Sequence, residues 1–271
     1  MVKKLLAQRR KLGSLEILRH RCGRKAKFNE SDLEWLKETI GKRPDITLEE
    51  LCKAFKKPCS TTTIRKIKTS YKRTLKAAEQ NRADVIIARE VWHISAGSTD
   101  TARLVFIDES GAKTNMTRLY GRGFDGGRVY DCVPHGHWSA TTMIAAVGTE
   151  GTRAPFVFEG AMDAEMFVAY VRHVLVPELR PGDIVVMDNL RSHKNAHVRK
   201  LIEQAGAHVW FLPPYSPDFN PIEKMWSKIK AYLRKACARS RKTLYQAIAD
   251  SLDTITQSDI CGWFKSCGYK I

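Results

Sequence analysis

Asp183-Ile184-Val185-Val186-Met187-Asp188-Asn189-Leu190-Arg191-Ser192-His193-Lys194 is the stretch on which the fold turns. A short, uniformly apolar run rich in β-branched residues reads as a strand buried on both faces, the kind found inside an α/β sheet. It ends in Asp188, where such sheets place their ligands, just beyond the carboxyl ends of the strands. Arg103-Leu104-Val105-Phe106-Ile107-Asp108-Glu109-Ser110 has the same design, a second apolar strand driven into an acid. Two such strands set two carboxylates side by side. Mutual repulsion makes that costly unless a positive charge lies between them, and a divalent metal ion is the usual one.

Composition narrows the partner. The 271 residues are 43% hydrophobic and carry a net charge of +17, enough core for one α/β domain plus a small module, with a polyanion as the expected partner. Residues 1–100 hold 24 Lys+Arg against 12 Asp+Glu, so the first third is the electrostatic handle. No stretch approaches the roughly 18 apolar residues of a membrane span. The opening apolar stretch is too short for a signal peptide. Seven scattered cysteines make no disulfide framework, so the chain is expected to be cytoplasmic and reduced.

In chain order, the sequence reads as a basic arm at 1–28, a helix-turn-helix domain at 29–73, a linker at 74–100, a catalytic-looking α/β domain at 101–240 and a helical tail at 241–271. Arg24 and Lys25 in the arm suit a minor groove, although a solvated tail is the competing reading. Asn29 or Ser31 caps a first helix carrying Leu33, Leu36 and Ile40; Thr47-Leu48-Glu49-Glu50 is a capping box for a second. Ser60–Thr63 caps a third, with Ile64, Ile67 and Tyr71 inward and Arg65, Lys66, Lys68 and Lys72 outward as candidate DNA contacts. Within 101–240 the expected strands are Leu104–Asp108, Thr117–Tyr120, Arg128–Cys132, Thr142–Val147, Pro155–Phe158, the run ending in Asp188, and His208–Leu212. These suggest a mixed five-stranded sheet with helices on both faces. The Gly121–Gly127 segment between two of them reads as a turn.

A third acid follows. Asn220 and Pro221 read as N-cap and N1 of a long helix, which makes Glu223 the N3 residue. A capping box would explain Glu223 by itself. The loop before it, Pro213–Phe219, has three prolines and is stiffer than a cap requires, as a preorganised site needs. Two aspartates and a glutamate form an all-oxygen set suited to Mg²⁺ or Mn²⁺ rather than zinc. Two such ions could activate water or a 3′-hydroxyl and stabilise the leaving oxygen of a phosphodiester.

Phe106–Ser110, Met187–Lys194 and Tyr215–Trp226 resemble the three acidic signatures of Tc/mariner-type DDE transposases, and most closely the bacterial insertion sequence 630 family. The 34 residues between Asp188 and Glu223 match that branch's spacing. The resemblance implies an RNase H-like fold behind a small all-α domain. It also implies cleavage and joining at the terminal inverted repeats, insertion at TA dinucleotides, and Asp108, Asp188 and Glu223 as the catalytic, metal-binding acids, with two ions shared between them. Two-ended chemistry on double-stranded DNA implies a homodimer in the complex. Asn189 and His193 would support the acids or contact DNA; a helix cap and a helix-face histidine are the alternatives. Cys132, His135 and His137 lack a fourth zinc ligand, so His135, His137 and Trp138 read as a loop beside the site, within reach of DNA. The family usually carries two helix-turn-helix units and this chain shows signs of one, as a truncated or frameshifted product would. A catalytically silent repressor and a structure-specific nuclease on the same fold are the rival readings.

Overall fold

The computed structural model describes residues 6–7, 9–11, 13, 28–43, 46–65, 77–119, 130–136, 138–190 and 192–271. The chain divides into two compact units, residues 1–75 and 76–271. In the first, α1 (Glu30–Lys42) starts at Asn29, whose side chain and that of Asp32 each accept the other's backbone N–H. The reciprocal box of Thr47 and Glu50 opens α2 (Leu48–Ala54), and α3 (Thr61–Arg65) follows. Leu36, Leu51, Phe55 and Ile64 meet in one small core, so the apolar positions of all three helices point inward. Arg24, Lys25, Lys66, Ile67, Lys68, Tyr71 and Lys72 lie outside the described residues, as does the side chain of Arg65.

The second unit is built on one sheet: β1 (Leu104–Lys113), β2 (Ala140–Gly148), β3 (Gly151–Glu159), β4 (Ile184–Met187) and β5 (His208–Phe211), in the order β3-β2-β1-β4-β5. β1 to β3 are antiparallel; β1, β4 and β5 run parallel. The expected mixed five-stranded sheet is present, but two of its expected strands are not. The described parts of 117–120 and 128–132 are irregular, and Leu119 and Tyr130 are 73% and 88% exposed. Apolar and aromatic residues gave those segments strand character, yet among the described residues no neighbouring strand covers them. Instead, β1 runs on past Asp108 to Lys113 and pairs with β2 over that length. Asp108 is therefore mid-strand. The apolar run stops there because the carboxylate faces the site, not because the strand ends.

Alternation along the strands assigns each residue to a face. Leu104, Phe106, Ile184 and Val186 enter one core; Val105, Ile107, Val185 and Met187 enter the other. The second face is covered by α5 (Ala164–Tyr170) with its continuation Val171–Leu175, and by α6 (Ala196–Gln204), through Phe167, Tyr170, Leu175, Val198 and Ile202. The first is covered by α7 (Pro221–Ala236), α8 (Arg241–Asp253) and α9 (Gln257–Ser266), and by Trp92 and Ala96 of α4 (Ala83–Gly97). α4 was expected within a linker, and α8 and α9 as a helical tail. Both pack on the sheet, because apolar residues at helical spacing, such as Trp92 and Ala96, bury against its face.

Candidate active site

β1 and β4 pair in register through Phe106 opposite Val186. Asp108 and Asp188 each lie two residues further on, so the parallel pairing carries them to the same level, on the face under α7. Across the other edge of β1, Asp108 is level with Ala145, a side chain small enough to leave room above it. Glu223 sits exposed in the first turn of α7, whose Ile222, Met225, Trp226 and Ile229 anchor it in the core beneath. The acids meet as electrostatic neighbours. Burial first, then the negative charges of Glu223, Glu109 and Asp188, push the Asp108 carboxyl up to about 7, against a backbone N–H bond from Glu109 at 2.9 Å. Among the described residues no three His, Cys, Asp or Glu side chains are gathered into a ready metal cage.

Asp188 behaves oppositely. Burial would raise its carboxyl, but hydrogen bonds from His193 and the Leu190 N–H, with the charges of His193 and Lys194, hold it below the ordinary value. His193 is no helix-face residue: it lies in the turn after β4, 2% exposed, its ring 4.4 Å from that of Phe167. Its Nδ1 is 2.6 Å from Asp188 Oδ1 and its Nε2 is 3.0 Å from Glu109 Oε1. Burial would lower its pKa, yet these two carboxylates outweigh burial and bring it to about 9. Imidazolium, with both nitrogens donating, satisfies both oxygens. Asn189 caps no helix; its Nδ2 donates to the Leu212 carbonyl, tying the loop after β4 to the end of β5.

The Asn220–Glu223 capping box does not form. The Asn220 side chain makes no cap bond, and among the described residues its buried Oδ1 has no partner, leaving the Glu223 carboxylate uncommitted to the helix end. The stiff loop before it is held from outside. Arg89 of α4 donates to Ser216 Oγ at 2.7 Å and grips Asp218 with two bonds of 3.0 and 2.7 Å, its guanidinium 4.2 Å over the Phe219 ring. Tyr269 Oη donates to the Phe219 carbonyl at 2.7 Å and accepts from Trp92 Nε1 at 3.2 Å. Neither Arg89 nor Glu109 was singled out from the sequence; the only available signal for Glu109 was its place beside Asp108. His135 and Trp138 are exposed before β2, Trp138 beneath Lys113 Nζ at 5.8 Å. No hydrogen bond among the described residues joins them to the acids, and His137 lies outside the described residues.

Among known proteins, the family described as DDE superfamily endonuclease matches residues 103–245, more than half of the chain and all three acids. The chain belongs to that family. The Tcb2 transposase of Caenorhabditis briggsae is 25% identical over 190 residues, spanning 64% of this chain and 68% of the relative. The Tc1 transposase of Caenorhabditis elegans is 24% identical over 189 residues with the same shares. A Mos1 paired-end complex with Mg superposes with a TM-score of 0.67 at 18% identity, covering 98% of this chain and 86% of that one. The Mos1 catalytic domain matches 72 to 73% of this chain, one example at a TM-score of 0.52 and 14% identity over 73%. The chain is thus a DDE-type transposase with an RNase H-like fold, similar in sequence to transposases of the Tc1/mariner type.

Proposed function

We propose that this transposase cleaves phosphodiesters at the terminal inverted repeats of its element and joins the freed ends to TA-containing target DNA, acting as a homodimer. Its place in the insertion sequence 630 branch is supported by the 34 residues between Asp188 and Glu223. The observation that carries the chemistry is the parallel pairing of β1 with β4, which brings Asp108 and Asp188 level under the first turn of α7, where Glu223 sits; the charges of these acids help to push the Asp108 carboxyl up. A surplus of negative charge around a buried carboxyl suits a cation, and the donors are all oxygen, the chemistry of Mg²⁺ and Mn²⁺. Asp108, Asp188 and Glu223 would hold that metal, as two ions. When bound, the ions lower the pKa of the attacking water or 3′-hydroxyl and stabilise the oxygen that leaves.

The chain's own part is placement. Asn189 fixes the turn carrying Asp188, and Arg89 with Tyr269 fixes the loop that sets where Glu223 starts. The α1–α3 unit, in the basic first third, supplies end binding as a helix-turn-helix domain. No helix among the described residues is long and apolar enough to cross a membrane. The test uses labelled copies of the inverted repeats flanking the protein's own gene, both intact and pre-cleaved, with a TA-containing target and Mg²⁺. Joined product is expected. End binding without cleavage would establish the repressor reading, and cleavage without joining the nuclease.

A further inference from the structure

Glu109 follows a candidate metal ligand in sequence but by strand alternation belongs to the opposite face of the sheet, the face of Phe167 and Tyr170. Its side chain is 14% exposed and meets His193, not the pocket under α7. His193 is thereby held three ways: Nε2 by Glu109 at 3.0 Å, Nδ1 by Asp188 at 2.6 Å, and the ring plane by Phe167 at 4.4 Å. On the far side, Asp188 Oδ1 takes both the His193 bond and the Leu190 N–H bond at 2.9 Å. No donor among the described residues reaches Oδ2. Two donors on one carboxylate oxygen set the plane of the group and aim the other.

We infer that Glu109 is a positioning residue: it fixes the His193 ring, and the ring turns Asp188 so that Oδ2 faces the cation and the DNA phosphate. This rests on reading Asp108, Asp188 and Glu223 as the metal-binding acids. Without Glu109, Nε2 loses its acceptor in a nearly closed site, and the ring can rotate away from Asp188. Partners of metal-ligating carboxylates are worth roughly 10- to 100-fold in metal affinity.

The experiment is a Mn²⁺ titration of the full chain without DNA, with free Mn²⁺ read by electron paramagnetic resonance and folding checked by thermal unfolding. Glu109→Ala and His193→Ala should each raise the Mn²⁺ dissociation constant about 10- to 100-fold. The double variant should lose no more than His193→Ala alone, since Glu109 acts through the ring. Glu109→Gln, which keeps an acceptor for Nε2 but removes the charge, should bind within a few-fold of the parent. Glu109→Gln as weak as Glu109→Ala would overturn the inference in favour of a charge or direct-ligand role. Additive losses in the double variant would overturn it too. If His193→Ala fails to fold, the Glu109→Ala and Glu109→Gln pair decides. Asp188→Asn is the control: if it leaves Mn²⁺ binding intact, the metal reading itself fails, whereas loss there with Glu109→Ala unaffected sinks only the clamp.

Discussion

The two ends of β4 carry the same residue type in opposite circumstances. At the entrance, Asp183 is buried, 5% exposed, and its Oδ2 accepts from Arg153 Nη1 at 2.9 Å and the Arg180 N–H at 3.0 Å. Arg153 and Arg180 also pair with Glu150 at 3.2 and 2.8 Å, so the charges there are matched. At the exit, Asp188 joins Asp108, Glu109 and Glu223, with the His193 ring as the cation bonded among them. A fold that neutralises one end so fully has the means to neutralise the other. The surplus at the exit is a property of the site, and the entrance shows what the same strand looks like when an acid is there for the fold.

The comparison breaks most readily by making one substitution at each end. Asp188→Asn, Asp108→Asn or Glu223→Gln should lower end cleavage by at least about 10³-fold, the scale of several kcal/mol of transition-state charge stabilisation. Thermal unfolding should show no loss of stability for Glu223→Gln and a gain for Asp108→Asn, which relieves repulsion, whereas Asp188→Asn should lose the part that its bond to the His193 imidazolium contributes. Asp183→Asn should do the reverse. It leaves Arg153 buried with Glu150 alone and should cost about 3 kcal/mol by denaturant unfolding, with cleavage per folded molecule unchanged. Asp183→Asn with parental stability would remove the contrast.

Smaller effects sharpen it. Arg89→Ala frees the loop before Glu223 and should reduce cleavage about 10- to 100-fold, because small displacements of a reacting group are expensive. Arg89→Lys should not restore activity, since an ammonium cannot reproduce the forked bond to Asp218; parental cleavage rates in either variant would show that the loop holds itself. The smallest effect lies far from the acids. Lys228 first, then the Thr256 hydroxyl and N–H, hold the Asp259 carboxyl at about 2, below its ordinary 3.8. A depressed carboxyl stabilises the fold above its unfolded value, and the contribution fades as pH falls from near 4 to about 2. Asp259→Asn should therefore unfold at a lower temperature than the parent at neutral pH and match it below pH 2. A constant gap across that range would place its effect elsewhere.

What the sequence made legible follows the same physics. β4 could be read because burial on both faces leaves an unbroken apolar run, and α7 because Pro221 marks its start. Asp108 was found but misplaced to a strand end: alternation resumes past it, with Ser110 and Ala112 buried, and a single inward acid hides the continuation. The Asn220–Glu223 box looked complete as a local pattern, yet Asn220 makes no cap bond. Glu109 and Arg89 were not legible at all. Their partners His193 and Asp218 lie 84 and 129 residues away, and only the sheet register and the packing of α4 bring them together.

If the charge surplus at the exit of β4 is a divalent-cation site, as we propose, a metal should be visible there. Crystals of the chain soaked in millimolar Mn²⁺ and measured at the manganese absorption edge test it directly. Anomalous density bounded by Asp108, Asp188 and Glu223, and lost in Asp188→Asn, is expected. Manganese bound elsewhere, with those three carboxylates bare in protein that still cleaves DNA, would contradict it.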